Sequence, residues 1–312
     1  GGHVSCRGEE EHPWSQDPTR GPGTTTVPDA EAAAHVRYCG DMTTTTFKDA
    51  LRTGAPQVGL FTLEFATTGV GALAAQSGAD WILYDLEHTG WSLDDVRNSL
   101  AVSRRLDIAS FVRVAGHRKD LVTTALDAGA EGIMMPWVQT AEQAAEMVSW
   151  IKYPPMGQRG SAFGLPHDLY RGGAPAVSQA DANAVAVFLP QIETPDAVQN
   201  ARAIGEVDGV DVLFVGPLDL STNLGVPGRW DDPTFLDALD AVVAAGRESG
   251  TATGIFCPSI EFAQMAWDKG FTVLSDGADL SVFARGLTQG LSSIRAHATG
   301  TPVPNAAPRQ GY

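Results

Sequence analysis

Short apolar runs alternate with longer amphipathic segments through most of the chain. The apolar runs are rich in β-branched residues, which is typical of strands buried on both faces, and the longer segments have the apolar spacing of helices. The predicted strands are 58–63, 80–84, 108–113, 132–135, 185–192, 212–215, 252–256 and 272–274. The predicted helices are 93–105, 119–128, 141–151, 195–204, 233–249, 260–269 and 280–297.

Strands that alternate with helices in this way predict an α/β fold, a closed (β/α)8 TIM barrel in a single domain. Gly129 and Gly250 follow two of the predicted helices, where a left-handed residue can end a helix before the next strand. An open doubly wound sheet is the alternative. That fold normally has a glycine-rich phosphate turn after its first strand, whereas Gly69 and Gly71 have no matching third glycine.

The two ends of the chain lack this pattern. Residues 1–41 are rich in Gly, Pro, Thr and charged residues and begin without methionine, and Met42 can serve as a natural start. We expect 1–41 to be a disordered or vector-derived leader. We expect 299–312, which has three prolines, to be a disordered tail, and 42–298 to form the barrel.

Composition narrows the class of partner. The formal net charge of -16 repels phosphate backbones and anionic lipid, so neither nucleic acid nor a membrane surface is predicted as a partner. The three cysteines include no CxxC pair and indicate neither a zinc site nor a disulfide framework. No apolar run approaches the roughly 20 residues that span a bilayer, and no secretory signal is recognised. We therefore expect a cytoplasmic protein that acts on small molecules.

Polar side chains at the carboxyl ends of the predicted strands form the candidate site. In a barrel these ends meet at one mouth, which gathers groups that are distant in sequence. They are Asp85, Glu87 and His88 after the second strand, Arg113 after the third, Gln191 and Glu193 after the fifth, Asp219 after the sixth, and Phe256 and Cys257 after the seventh.

Glu193 and Asp219 are the candidate metal ligands. Carboxylates on neighbouring strands can hold a hard divalent cation, Mg²⁺ or Mn²⁺, and leave positions open for water and substrate. Each has a structural alternative, because Glu193 could cap the helix that follows it and Asp219 the turn that follows it. Their occurrence together, with Arg113 and His88 opposite, favours the metal.

His88 and Arg113 are the candidate catalytic groups. A carboxylate beside His88 can fix its tautomer for work as a general base, and a surface or core histidine is the alternative. The planar guanidinium of Arg113 suits a substrate carboxylate or a developing enolate, and an ion pair with Asp85 is the alternative.

Two covalent mechanisms are disfavoured. None of the four lysines follows a predicted strand, which argues against a Schiff-base aldolase. There is no Gly-x-Ser-x-Gly elbow, and Cys257 has no obvious histidine base, so we expect a small buried thiol there.

An ordered set of short motifs adds to this reading. It consists of Asp-x-Glu-His at 85–88, Val-Arg at 112–113, Leu-Asp-x-Gly at 126–129, Tyr-Pro-Pro at 153–155, Gly-Gln-Arg-Gly at 157–160, Gln-Ile-Glu at 191–193 and Gly-Pro-x-Asp-Leu-Ser at 216–221. From about Gly59 to Leu291 the chain resembles the HpcH/HpaI aldolase family, the metal-dependent pyruvate aldolases that include 4-hydroxy-2-oxoheptanedioate aldolase and 2-dehydro-3-deoxyglucarate aldolase. The set is specific in this order.

The resemblance implies a barrel of the phosphoenolpyruvate/pyruvate type that cleaves a 4-hydroxy-2-oxoacid reversibly to pyruvate and an aldehyde through a metal-stabilised enolate. It also implies a role for each matching residue. The metal, Mg²⁺, Mn²⁺ or Co²⁺, would be bound by Glu193 and Asp219 and supported from outside its ligand set by Glu87 and Asp85. The pyruvyl group would be held by Arg113, Gln191 and the Leu218 N–H. Phe256 would lie near the aldehyde, and His88 would act through water as the acid and base.

Asp127 raises a geometric difficulty. The family pairs its histidine with an aspartate that matches Asp127, but Asp127 ends a predicted helix, and such ends lie at the barrel face opposite the site. A carboxylate is also unfavourable at that end of the helix dipole. We therefore predict a homo-oligomer in which Asp127 reaches His88 of a neighbouring subunit, as in the hexamer, a trimer of dimers, that the resemblance implies. A solvated helix-end aspartate is the alternative.

The departures from the family pattern lie in the part of the site where the aldehyde, the acceptor in the synthesis direction, would bind. Leu86 and Leu218 stand where relatives usually have Gly and Ala, and both are expected to narrow the mouth. Val114 replaces a common Pro. Arg159 is expected either to bind a distal carboxylate or to brace an interface.

Three functions are compatible with these residues. The first is the class II aldolase. The alternative is a synthase or decarboxylase that uses an oxaloacetate-derived enolate, as macrophomate synthase does in this family. A barrel that binds small acids without turnover is the third, and the full set of polar groups at the mouth argues against it.

Overall fold

The computed structural model describes residues 46–300, which form a closed barrel of eight parallel strands. Neighbouring strands pair in chain order, and the first strand closes the barrel on the eighth, with Gln57 opposite Val273. The predicted TIM barrel is confirmed and the open doubly wound sheet is excluded. The strands are β1 Gln57–Thr62, β2 Trp81–Asp85, β3 Ala109–Arg113, β4 Gly132–Met135, β5 Val187–Ile192, β6 Val212–Val215, β7 Ala252–Ile255 and β8 Val273–Ala278.

Helices surround the barrel and fill most of its connections. They are α1 Phe47–Thr53, α2 Val70–Gln76, α3 Leu93–Ser103, α4 Lys119–Asp127, α5 Ala141–Ile151, α6 Pro175–Val185, α7 Pro195–Gly205, α8 Pro217–Asn223, α9 Pro233–Ser249, α10 Ile260–Lys269 and α11 Asp279–Thr299, with a short 3₁₀ turn at Pro166–Asp168. Gly250 ends α9 in the left-handed conformation at φ 74°, as expected.

Some elements differ from the sequence prediction. The helices α1, α2, α6 and α8 were not among the predicted helices, because α1, α2 and α8 span only seven residues each and α6 buries none of its residues, so a long apolar stripe is missing. Strand β5 starts two residues later than predicted because Val185 ends α6. The predicted leader, and the predicted tail beyond Gly300, lie outside the described residues.

The inside of the barrel is filled by aromatic side chains. The rings of Phe61 and Phe214 lie 5.9 Å apart, and those of Trp81 and Phe111 lie 6.1 Å apart. All four side chains are almost completely buried. A second apolar layer lies between the strands and the surrounding helices. Because the interior is packed, space for a ligand is left at the mouth rather than along the axis.

None of the helices within residues 46–300 is both long enough and apolar enough to cross a bilayer.

Candidate active site

A cavity of about 490 Å³ opens at the carboxyl ends of the strands. Such a volume falls within the range of roughly 300–1,000 Å³ that small-molecule sites occupy. The predicted site residues that line it are His88, Arg113, Gln191, Glu193, Leu218, Asp219 and Phe256. Asp85, Glu87 and Asp127 are not in its wall.

Arg113 is held by a bidentate ion pair with Asp85. Its Nε lies 2.8 Å from Asp85 Oδ1 and its Nη2 lies 2.7 Å from Oδ2, and the Asp85 side chain is fully buried. The same carboxylate accepts the backbone N–H groups of Glu87 and His88. The ion-pair alternative for Arg113 is thus confirmed. Because Nη1 donates to no described residue and Arg113 lines the cavity, the guanidinium still has a donor for a ligand.

Glu87 lies between the two candidate catalytic groups. Its Oε2 is 3.3 Å from Arg113 Nε and 3.7 Å from His88 Nε2. Burial raises the pKa of the Glu87 carboxyl, while the charges of Arg113 and His88 oppose that rise. The His88 side chain is 43% exposed at the mouth, so it is a surface group that lies beside a carboxylate.

Glu193 is a buried carboxylate in the wall of the cavity. Its Oε2 accepts the Trp137 backbone N–H at 2.9 Å, and no hydrogen bond from a described residue reaches Oε1. Burial raises the pKa of Glu193 to about 8, and the charge of Asp219 adds to the rise. Trp137 adopts φ 57°, a left-handed conformation that is strained for a residue with a side chain. The strained residue is thus the one whose backbone N–H orients the Glu193 carboxylate.

Asp219 lies in the first turn of α8, whose N-terminal cap is Gly216. Thr194, rather than Glu193, caps α7, since its side chain accepts the Ala197 N–H. The capping alternatives for Glu193 and Asp219 are therefore wrong. No described residue donates a hydrogen bond to the Asp219 side chain.

The carboxylate oxygens of Glu193 and Asp219 are suitable ligands for one hard divalent cation. Glu193 Oε1 and the Asp219 carboxylate have no hydrogen-bond donor among residues 46–300, and hard cations prefer such oxygens. Within the same residues there is no group of three or more His, Cys, Asp or Glu side chains arranged around one metal position. A metal here would therefore take two protein carboxylates and fill its remaining positions with water or substrate.

Gly216 makes room for the Glu193 carboxylate. A Cβ at this position would lie 2.3 Å from Glu193 Oε1 and 3.0 Å from its Cγ. We expect Gly216→Ala to displace the carboxylate and lower the affinity for Mn²⁺ by about tenfold or more in calorimetric titration, as changes beside metal ligands do. Gly116→Ala is the matched control, because a Cβ at Gly116 meets nothing within 4 Å. Equal affinities for the two variants would contradict this interpretation.

Gln191 is buried in β5, and its Oε1 has no hydrogen-bond partner among the described residues. An unpaired buried polar atom is costly unless a ligand or water pairs with it. Gln191 also lines the cavity, so it can contact a bound small molecule.

The prediction that two leucines narrow the mouth of the cavity is only partly right. Leu218 lines the cavity and is 39% exposed, as expected. Leu86 does not narrow the mouth, because it packs against the apolar layer between strands and helices. Cys257 is a free, buried thiol whose pKa is raised by burial to about 12, so the expected small buried thiol is confirmed.

Asp127 and Arg159 form an ion pair away from the cavity. Arg159 Nη2 lies 2.7 Å from Asp127 Oδ1, and the Arg159 side chain is 3% exposed. Asp127 is the last residue of α4 and does not meet His88 of its own chain. Arg159 thus holds Asp127, and neither residue contacts a ligand in the cavity of this chain.

Several wall residues were missed by the sequence analysis. They are Phe61, Leu63, Trp230, Pro258, Ser259 and Glu261. Phe61 in β1 and Leu63 just after it are apolar, so no chemical signal marked them. Trp230 lies in the connection between α8 and α9, whose path cannot be inferred from periodicity.

Comparison with known proteins gives consistent results. The family HpcH/HpaI aldolase/citrate lyase matches residues 57–286. A 4-hydroxy-2-oxovalerate aldolase of Novosphingobium aromaticivorans is 38% identical over 254 residues, covering 80% of this chain and 94% of the relative. A 2-keto-3-deoxy-L-rhamnonate aldolase of Salmonella schwarzengrund (strain CVM19633) is 34% identical over 252 residues, covering 80% of this chain and 93% of the relative.

Solved structures agree in fold. The HpcH/HpaI aldolase/citrate lyase family protein of Burkholderia cenocepacia J2315 has a TM-score of 0.75 and 32% identity, covering 81% of this chain and all of the other. The HpcH/HpaI aldolase of Desulfitobacterium hafniense DCB-2 has a TM-score of 0.75 and 28% identity, covering 80% of this chain and 97% of the other. The chain therefore belongs to the HpcH/HpaI aldolase/citrate lyase family, and its aldolase relatives indicate a lyase.

Proposed function

We propose that the protein is a divalent-metal-dependent class II pyruvate aldolase. It cleaves a 4-hydroxy-2-oxoacid reversibly to pyruvate and an aldehyde. The observation that carries this proposal is one cavity lined by Glu193, Asp219, a guanidinium and an imidazole, in which Glu193 Oε1 and the Asp219 carboxylate accept no hydrogen bond from a described residue. Carboxylates, a fixed cation and a proton carrier are the groups that this reaction needs.

Glu193 and Asp219 would hold Mg²⁺, Mn²⁺ or Co²⁺, and Asp85 and Glu87 would support the metal from outside its ligand set. When bound, such a metal withdraws charge from the keto group of a 2-oxoacid. Among the groups of the chain, Glu87 lies beside both Arg113 and His88, and Asp85 fixes the orientation of Arg113.

The 2-oxoacid would be held by Arg113, Gln191 and the backbone of α8. Arg113 donates from Nη1 to the substrate carboxylate, and Gln191 places its unpaired amide beside the pyruvyl group. The Leu218 N–H lies in the first turn of α8, where backbone donors point out of the helix, and it can donate to the same carboxylate.

His88 would move the protons of the reaction. In cleavage, the 4-hydroxyl proton passes through water to His88, the C3–C4 bond breaks, and the aldehyde leaves. The electron pair stays on the pyruvate half, whose methyl carbon then takes a proton. Asp127 of a neighbouring subunit would orient His88, and the position of Asp127 outside the cavity of its own chain is compatible with this role.

A homo-oligomer is part of this proposal, and α11 supports it. Among the 21 residues of α11 only Asp279 is buried. The helix has an exposed apolar stripe at three- and four-residue spacing. The stripe consists of Leu280, Phe283, Leu287, Leu291 and Ile294. Val58 on β1 and Trp267 on α10 are also exposed by 40% and 43%, so the barrel wall has apolar surface as well. A second copy of the chain would cover both surfaces.

Charges placed in the α11 stripe should therefore dissociate the oligomer. We expect the double variant Leu287→Glu and Leu291→Glu to have the mass of a monomer in light scattering, and to lose aldolase activity because Asp127 no longer reaches a neighbouring site. Gln289→Glu, on the polar side of the same helix, should leave the mass unchanged. A wild-type protein that is already monomeric would contradict the composite site.

The proposed activity is tested by assaying pyruvate release and product mass with and without a chelator. We expect chelation to abolish aldol cleavage and synthesis, and Mg²⁺, Mn²⁺ or Co²⁺ to restore both. Activity that survives chelation would contradict the proposal. Release of CO₂ from oxaloacetate without any aldol product would indicate the decarboxylase instead. We keep the cytoplasm as the predicted compartment, and the free thiol of the buried Cys257 is compatible with it.

A further inference from the structure

We propose that the acceptor is an uncharged aldehyde with an apolar, ring-sized body that lies against Phe61, Leu63, Phe256 and Trp230. This inference rests on the proposed aldolase function and names the class of its second substrate. The residues that carry it come from β1 and from the connections after β1, β6 and β7, and all four line the cavity.

The apolar wall adjoins the place of the 2-oxoacid. The guanidinium carbon of Arg113 lies 5.4 Å from the Phe61 ring centroid, and the Phe61 and Phe256 rings meet edge to face at 5.2 Å. An aldehyde whose carbonyl carbon reaches a pyruvate held by Arg113 therefore extends its body over these two rings. Burial of an apolar body there is favourable, and aromatic rings add edge-to-face contacts.

The wall is preformed. Asp279 is 5% exposed and accepts the backbone N–H groups of Leu63, Glu64 and Phe65 at 2.8–3.1 Å. This carboxylate fixes the connection after β1, so the Leu63 side chain is presented to the cavity by a rigid backbone. A rigid wall discriminates between acceptors better than a mobile one, because it cannot adjust to a polar body.

Cations for a second carboxylate are missing from the cavity. Among the described residues that line it, only Arg113 and His88 can be positive, and Arg113 is occupied by Asp85 and by the carboxylate of the 2-oxoacid. Glu261 adds a negative charge at the acceptor end. Arg159, the sequence candidate for a distal carboxylate, is paired with Asp127 elsewhere. An acceptor with its own carboxylate would thus be buried without a partner.

Partners for a polyhydroxylated acceptor are also few. Ser259 is the N-cap of α10, and its side chain accepts the Phe262 N–H at 3.2 Å. The Ser259 O–H in turn interacts with the Glu261 carboxylate, whose pKa is lowered by its own backbone N–H and by this hydroxyl, and Glu261 is the other polar side chain at this end of the cavity. Hydroxyl groups laid over Phe61, Phe256 and Trp230 would lose water without gaining hydrogen bonds.

In the synthesis direction the step is an aldol addition. The pyruvate methyl carbon loses a proton and forms the new carbon–carbon bond to the aldehyde carbon. The aldehyde oxygen takes a proton and becomes the 4-hydroxyl group. No oxidant or reductant is needed, and the apolar body remains on the wall throughout.

The test compares acceptors at fixed pyruvate and Mn²⁺ in the wild-type protein. We expect kcat/KM for benzaldehyde to exceed that for succinic semialdehyde, which carries a carboxylate, by at least about 100-fold, and to exceed that for glyceraldehyde by about tenfold or more. Leu63→Arg, which adds a cation to the wall, should raise the succinic semialdehyde to benzaldehyde ratio by at least about tenfold. Leu73→Arg is the matched control, because Leu73 is 69% exposed and lies outside the cavity.

A second variant covers the case in which Leu63→Arg does not fold. Phe256→Ala should lower kcat/KM for benzaldehyde about tenfold more than for acetaldehyde, since acetaldehyde has no ring to contact Phe256. Succinic semialdehyde used as well as benzaldehyde, with aldol products from both, would overturn this inference and leave the aldolase function standing. No aldol product from any aldehyde, acetaldehyde included, would overturn the function and this inference together.

Discussion

Glu193→Gln is expected to lower kcat/KM for pyruvate release by about 1,000-fold or more. The substitution keeps the shape of the side chain and its contact with the Trp137 N–H, but removes the negative charge that faces the cavity. A metal site with one carboxylate loses several kcal/mol of binding and transition-state stabilisation, and each 1.36 kcal/mol is about a factor of ten in rate. Steady-state kinetics and calorimetric titration with Mn²⁺ measure the two losses.

The matched control for this substitution is Asp196→Asn. Asp196 is an exposed carboxylate near the start of α7, three residues from Glu193, and does not line the cavity. We expect its kinetics to stay within about twofold of wild type. A Glu193→Gln protein that binds Mn²⁺ and turns over like this control would remove the basis of the metal site.

In the metal-free protein, we expect the stability of Glu193→Gln relative to wild type to depend on pH. Because burial raises the pKa of Glu193 to about 8 in the folded state, the folded protein favours the neutral carboxyl. The neutral carboxyl therefore contributes to the free energy of unfolding. This contribution is fully present below the pKa of the group in the unfolded chain, about 4.3, and is lost as the pH rises through its pKa in the folded protein. Glu193→Gln has no such loss. With chelator present, we expect its stability advantage over wild type to grow by about 3 kcal/mol between pH 6 and pH 9 in urea unfolding.

Asp85→Asn should cause the second large effect, a loss of about 3–5 kcal/mol in the free energy of unfolding. The Asp85 side chain is fully buried and that of Arg113 is 9% exposed, so removing the carboxylate leaves a buried guanidinium without its bidentate partner. The backbone N–H groups of Glu87 and His88 also lose one of the two carboxylate oxygens that accept them. Activity should fall as well, because Arg113 is no longer oriented. Urea unfolding at fixed protein concentration measures the change.

The exposed pair of Arg118 and Asp120 provides the comparison. Their side chains are 65% and 60% exposed, and surface ion pairs contribute about 0–1 kcal/mol. Asp120→Asn should therefore change the stability by less than about 1 kcal/mol. Equal losses for Asp85→Asn and Asp120→Asn would mean that the buried pair does not organise the site.

The barrel could be predicted because its strands have a clear apolar pattern in the sequence. The runs at 132–135 and 212–215 are continuously apolar and became β4 and β6 with the predicted bounds, since strands buried on both faces leave no room for polar residues. The helix α6 carries no such signal, because none of its residues is buried. Its presence depends on the connection that it completes rather than on its own pattern.

The polar half of the site was likewise visible in the sequence. A carboxylate or a guanidinium directly after an apolar strand is unusual, and Arg113, Glu193 and Asp219 all line the cavity. The apolar half was not visible, because Phe61 and Leu63 look like ordinary strand residues until the barrel closes. The capping alternatives for Glu193 and Asp219 could be rejected only from coordinates, which show Thr194 and Gly216 at those helix starts.

The position of Asp127 shows what one chain cannot determine. The sequence places it at the end of a helix, and in the structure it pairs with Arg159 outside the cavity. Whether it meets His88 depends on how two copies associate, and pattern within a single chain carries no information about that geometry.

The central claim is that Glu193 and Asp219 share one divalent cation. It is tested most directly by the anomalous difference density of crystals grown with Mn²⁺ and pyruvate. We predict one Mn²⁺ per chain in the cavity, with an oxygen of each carboxylate within about 2.5 Å of the ion and pyruvate completing its coordination. An ion bound elsewhere, or two carboxylates too far apart to reach the same ion, would contradict the claim.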